Sequence, residues 1–306
     1  MVDTPYRIGR GWAGRPRPAA FAIVAIAYVA AILTALTVVV LLKDSHPLVA
    51  FFWADIAATV VVFAASMLLA NSSLYDPYWS VAPPLIIGGL LIWHLSEVDG
   101  SVTLRHLAML LLVLIWAMRL TGNWATGWTG LGHEDWRYIQ MRNDTQGRLP
   151  WWVVSFVGIQ LVPTLVVFAG LLPAWPAIIG ERPFGVLDVL AILVMAGAIF
   201  LEATADRQMR AFAADPANRG RTVNVGLWRH SRHPNYLGEI SFWWGLWLFG
   251  LAAAPAWWWT VIGPLIMVGL FLGVSIPLME RRSLARRTDF AAYKENVPVL
   301  LPWPRK

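Results

Sequence analysis

Eight apolar runs, each close to the length of helix that crosses a bilayer, occupy residues 19–42, 48–70, 81–97, 102–120, 151–173, 184–205, 237–254 and 257–278. Crossing the hydrocarbon takes about 20 residues of helix, and helices keep their backbone hydrogen bonds inside the segment, which a lipid environment demands. The runs therefore predict an all-α fold, a polytopic transmembrane helical bundle of about eight helices. The third run is short and holds Pro83 and Pro84, and little more than Pro255 separates the seventh from the eighth. Seven helices is the fallback. Composition agrees: 58% of the 306 residues are hydrophobic and 14% charged, too little polar surface for a soluble chain of this size.

Charge then sets the orientation. With eight crossings, both termini and the loops after the second, fourth and sixth helices share one side, and that side carries 21 of the 24 Lys and Arg residues. Only Lys43, Arg105 and Arg182 fall opposite. The positive-inside rule puts the rich side, with both termini, in the cytoplasm. The net charge of +6 thus reflects membrane sidedness and calls for no nucleic-acid partner. The first run is longer than a signal-peptide core and lacks a small-residue cleavage site, so it reads as a retained helix. A basic cytoplasmic tail (1–18), a helical membrane domain (19–278) and a C-terminal cytoplasmic tail (279–306) follow. The absence of cysteine excludes disulfides, thiolate catalysis and cysteine metal sites. Trp257 to Trp259 and Trp151 with Trp152 read as outer and inner interfacial anchors.

Several motifs carry no chemistry. The GRGWAG of 9–14 fits a dinucleotide pattern but follows no strand. Asn71 and Asn143 match glycosylation acceptors on the cytoplasmic side. His133 and Glu134 are half a metal site without a third ligand, so no metal is expected.

Other clusters are richer. In GLWRHSRHPNYLGE (226–239), Pro234 suits the first turn of a helix, whose free amides beside Arg229 and Arg232 suit a phosphate. Asn235 and Glu239, four apart, share one face of that helix. Arginines at such a place also serve lipid phosphates, and an Asn also caps helices, but generic topology does not call for a carboxylate one turn into the membrane. Glu202, Asp206 and Arg210 form an i, i+4, i+8 stack near the end of the sixth helix, either an Asp206–Arg210 pair or a lining of the same pocket, with Arg221 a further phosphate contact from the loop. Finally, Tyr75, Asp76 and Tyr78 in YDPYWS follow the second helix. A phenol bonded to a carboxyl is an acid suited to polarising a ketone, and an interfacial turn with aromatic anchors is the plain alternative.

The C-terminal half resembles the steroid 5α-reductase superfamily, and in particular its bacterial members of unknown function, through YDPYWS, the AD-x-Q stretch at 205–208, and the RHPNYxGE signature at 232–239. A closing pattern of Glu280, Arg281, Phe290, Tyr293 and Pro302 extends it. The resemblance implies NADPH bound on the cytoplasmic side by Glu202, Asp206, Arg210, Arg221, Arg232, His233, Asn235, Tyr236, Glu239 and Arg281. It implies reduction of a double bond conjugated to a ketone in a hydrophobic substrate entering from the bilayer, with Tyr75, Asp76 and Tyr78 as the acid group. A bacterial inner-membrane protein surrounded by lipid is implied as well. Two positions depart from the superfamily: Glu202 stands where it has Asn, and Trp116 where it has a catalytic Tyr. A membrane S-adenosylmethionine-dependent methyltransferase of the isoprenylcysteine carboxyl or phospholipid type shares RHPxY and an acidic-basic pair near the C-terminus. A lipid- or sterol-binding protein without catalysis is the third reading.

Overall fold

The computed structural model describes residues 11–98 and 100–301. Arg7 and Arg10 of the expected tail, the start of the GRGWAG pattern, and Pro302 lie outside the described residues. Among the described residues the chain is helical, without strands. Seven helices are long and apolar enough to cross a membrane, the makeup of a multi-pass membrane protein.

In chain order the elements are α1 (Arg17–Leu41), α2 (Pro47–Leu68), α3 (Tyr78–Glu97, after a 3-10 turn at Ser72–Leu74), α4 (Leu104–Gly127) and the short α5 (Trp136–Thr145). Then come α6 (Trp151–Ile179), α7 (Val186–Ala214), α8 (Pro234–Ala253), α9 (Pro255–Arg286) and the tail helix α10 (Phe290–Asn296). Each of the eight apolar runs lies in one long helix. Of the eight helices that carry these runs, the one outside the seven is α8: it has a spanning length of 20 residues, but Asn235, Glu239 and three tryptophans make it less apolar than the rest.

Several ends fall elsewhere than the apolar runs suggest. Helix α3 begins at Tyr78 and passes through Pro83 and Pro84. Both prolines lie within its first two turns, so the missing amides cost only the bonds to the Trp79 and Ser80 carbonyls. Helix α4 continues to Gly127, α7 to Ala214 and α9 to Arg286, because a helix ends where its backbone bonding ends and not where its side chains stop being apolar.

Contacts divide the chain into two compact units: Met1–Ser101 with Trp116–Phe168, and Val102–Ile115 with Ala169–Lys306. In the first, α1 lies along α2, and the loop at 69–77 is locked by the loop after α4. Asn71 donates to the Leu131 and His133 carbonyls (2.9 and 3.0 Å), Glu134 accepts from the Ser72 amide (2.9 Å), and the Asp135 amide donates to Ser73 Oγ (2.8 Å). Glu134 thus caps a turn. Outward, Ile26, Leu33, Leu36 and Val40 of α1 are exposed, as lipid-facing residues are.

In the second unit α7 and α8 pack face to face through small residues. A Cβ on Gly238 would sit 2.3 Å from Glu202 Cγ, and one on Gly245 would sit 2.4 Å from Met195 Cγ. Across from them Ala191, Ala198 and Ala205 are buried at seven-residue spacing. Small residues at such intervals let helix backbones approach closely where lipid supplies no hydrophobic drive. At the other end of the unit Arg105 is buried and bidentate on Asp188 (2.6 and 2.9 Å), with the Arg182 carbonyl as a further acceptor. One of the few cations on the expected outer side is therefore an internal strut.

Candidate functional site

The residues expected to do chemistry fall into one set in each unit. In the first unit the side chains of Tyr75, Asp76 and Tyr78 each hydrogen-bond outside the trio. The Tyr78 hydroxyl donates to Asp55 Oδ1 at 2.6 Å, with the Asp55 carbonyl at 3.1 Å. Tyr75 shares a hydrogen bond with Thr164 (2.8 Å), which also meets Thr59 (2.9 Å). The two phenol rings stack at 5.3 Å. Asp76 instead accepts from Tyr138, with Arg137 3.9 Å away. Burial, and then the negative charge of Asp76, push the Tyr138 phenol well above its ordinary value, so Tyr138 stays a donor.

There are accordingly two phenol–carboxyl pairs. Of these four residues the sequence motif YDPYWS marks Tyr78 and Asp76 but neither partner, Asp55 nor Tyr138. Asp55 is a lone carboxylate in the apolar run 48–70, and an ionisable residue at membrane depth is a functional candidate by default, so its signal was present. Tyr138 lies on the short polar helix α5, where no apolar run marks it in the sequence.

In the second unit, Glu202 is buried on α7 and lies against Gly238 of α8, one residue before Glu239. Glu239 is buried too and accepts from Trp243 Nε1 at 2.9 Å, one turn along the same helix. Asn235 is half-buried one turn before Glu239, while Asp206 is half-buried and Arg210 exposed further along α7. The AD-x-Q stretch has a structural part: Gln208 Oε1 accepts the Leu227 amide (2.8 Å), and Trp228 Nε1 donates to the Ala205 carbonyl (3.0 Å). That ties the loop carrying Arg221 and Arg229, both exposed, to the end of α7. Gly226, at φ 55°, is needed in this turn, since a Cβ there would meet the Gln208 amide at 2.5 Å.

Arg232 and His233 are buried and serve as anchors for the tail. Arg232 donates to Glu280 (2.7 Å) and to the Lys294 and Val297 carbonyls (2.9 and 2.6 Å), and Lys294 closes on Glu280 at 2.7 Å. Burial holds the His233 imidazole below its ordinary value against the pull of Glu280 at 3.3 Å, so it stays neutral near pH 7. Its ring stacks on Tyr236, which packs on Phe271. Tyr293 donates to the Trp228 carbonyl, and Asp289 accepts the Thr222 amide and hydroxyl. Arg281 is exposed on α9. In this set the exposed cations are therefore Arg210, Arg221, Arg229 and Arg281. Among the described residues no cluster of His, Asp and Glu has the makeup of a metal site.

A family model described as "Protein of unknown function (DUF1295)" matches residues 62–297. The chain belongs to the DUF1295 family. The DUF1295 match covers every residue expected to do chemistry and leaves out Asp55. A relative in Schizosaccharomyces pombe, the uncharacterized protein C594.04c, is 28% identical over 267 residues, covering 79% of this chain and 76% of the relative. No solved structure matches the chain.

Proposed function

We propose that this DUF1295 protein is an NADPH-dependent membrane reductase of a conjugated carbon–carbon double bond in a hydrophobic enone, steroid-like or isoprenoid, as its resemblance to the steroid 5α-reductase superfamily implies. The observation that carries the reading is the Tyr78–Asp55 pair, a phenol and a carboxyl hydrogen-bonded to each other within apolar helices. Polar groups of that kind are costly at such depth and are kept for chemistry. The inner membrane of a bacterium is the compartment this reading assigns.

The residues of the second unit fit a dinucleotide in kind. Arg210 and Arg221 are exposed cations for phosphates, the N-terminal amides of α8 favour anions, and Asn235 with Glu239 offers an amide and a carboxylate for sugar hydroxyls or a carboxamide. When bound, NADPH supplies the hydride. The protein's own part is at the ketone. Tyr78 has one proton to give, and it points at Asp55; to polarise a carbonyl it turns to the substrate oxygen, with Asp55 in its acid form donating behind it. The developing enolate is then held by a hydrogen bond in a water-poor setting, where such bonds count most, until its α-carbon takes a proton from solvent or a neighbouring acid and the reduction is complete. Hydrophobic substrate reaches this depth from the bilayer.

The methyltransferase reading draws on the acidic-basic pairing near the C-terminus. Here Glu280 is engaged by Arg232 and Lys294, which gives it a structural part in holding the tail. The test between the two is enone-dependent NADPH oxidation by the purified full chain, run beside methyl transfer from S-adenosylmethionine. Oxidation that Tyr78→Phe abolishes supports the reductase; methyl transfer without oxidation refutes it.

A further inference from the structure

Gln160 stands apart in the first unit. Its side chain is 0% exposed, yet neither Nε2 nor Oε1 has a hydrogen-bond partner among the described residues. It lies about 13 Å along α6 from Trp151, close to the middle of a bilayer.

The local helix is also unusual. Residues Val154–Leu161 are wound as a π-helix before α6 returns to ordinary geometry at Val162. In an α-helix Ser155 and Gln160, five apart, would point about 140° away from each other. The wider turn of a π-helix, with its i→i+5 bonding, brings them toward one face instead, and Thr164 follows one α-turn later. Three polar residues thereby share one buried stripe. Two of them are satisfied: Ser155 meets Ser72 Oγ at 3.0 Å, and Thr164 meets Thr59 and Tyr75. Gln160 between them is not. π segments are rare and recur at functional sites, and a buried amide with both ends unmet asks for a partner.

We infer that Gln160 is a recognition residue for a lipophilic molecule bearing a hydroxyl, a protonated carboxyl or a primary amide. The chemistry follows from both ends being open. Oε1 needs a donor and Nε2 an acceptor, so the ligand group must bring both. A ketone, ester or ether answers only Nε2. The group read by Gln160 is consequently different from an enone carbonyl, and the inference stands independently of the reductase reading.

The test uses the purified full chain in lipid nanodiscs and three probes of equal chain length: hexadecanol, hexadecanamide and hexadecyl methyl ether. In wild type the alcohol and the amide are expected to raise the unfolding midpoint about 2 °C or more beyond the ether. Gln160→Leu is expected to erase that difference while unfolding, without ligand, no lower than wild type, since it leaves no polar group unmet. Gln160→Met serves the same purpose should the leucine variant not fold. Equal shifts from all three probes in wild type, or a difference that survives in the variants, overturns the inference and leaves Gln160 meeting water alone.

Discussion

Asp55 is the residue on which the proposed chemistry turns. A carboxyl at membrane depth is tolerated only with a partner, and the Tyr78 hydroxyl at 2.6 Å is that partner. Removing the phenol oxygen alone, in Tyr78→Phe, should lower kcat by about 10²- to 10⁴-fold, the usual worth of a positioned acid, with little change in KM. Asp55→Ala should match it. Asp76→Asn, by contrast, touches a carboxyl whose partners are Tyr138 and Arg137, and is expected to leave kcat within a few-fold. Steady-state kinetics on the three variants checks the assignment, and equal losses from Asp76→Asn and Asp55→Ala would refute it. A second residue-scale expectation concerns pH. Burial would raise the Asp289 carboxyl, but the two hydrogen bonds from Thr222 outweigh it and hold the group below its ordinary value. With the folded value the lower one, its contribution is full above about pH 4 and is lost as pH falls through the lowered value. Hydrogen exchange of α10 should stay slow down to about pH 4 and quicken below it, whereas quickening near pH 6 would contradict this.

Between elements, α7 and α8 pack closely through small residues. Gly238→Ala puts a methyl carbon against Glu202 Cγ, with the Ala198 carbonyl behind it at 2.9 Å. Overpacking of this kind costs about 1–3 kcal/mol and moves α8, and with it Asn235 and Glu239, away from α7. Lower thermal stability together with weaker NADPH binding is the expected result; unchanged binding would detach those residues from the cofactor. Asp188→Asn is a purely structural counterpart. It strands the buried Arg105 guanidinium and should cost about 3–5 kcal/mol in unfolding free energy, read from denaturant midpoints, without touching the residues proposed to hold the cofactor. The elements themselves were largely legible, because an apolar run of bilayer length admits few structures. Their ends were less so: hydropathy registers where hydrocarbon stops, and α4, α7 and α9 continue as helix into polar sequence. In the site, the i, i+4 spacing of Asn235 and Glu239 was readable because it is local. The partners of Tyr78 and Asp76, 23 and 62 residues away, were not, since only tertiary folding pairs them. Likewise Arg232 and His233 looked like ligand cations because their partner Glu280 is 48 and 47 residues on.

For the whole molecule, the charge count assigns a sidedness that can be measured directly, because the chain has no cysteine. Arg221→Cys should react with a membrane-impermeant thiol reagent only from the cytoplasmic side, and Trp258→Cys only from the opposite side; the reverse pattern would invert the topology. The two units carry different parts of the proposed chemistry, the Tyr78–Asp55 acid in one and the exposed arginines with Asn235 and Glu239 in the other. The most direct measurement is equilibrium binding of NADPH and of S-adenosylmethionine to the purified full chain in mild detergent. The reductase account predicts NADPH binding in the micromolar range common for enzyme substrates, lost in Asn235→Ala and Arg221→Ala. Tight binding of S-adenosylmethionine with none of NADPH would contradict it.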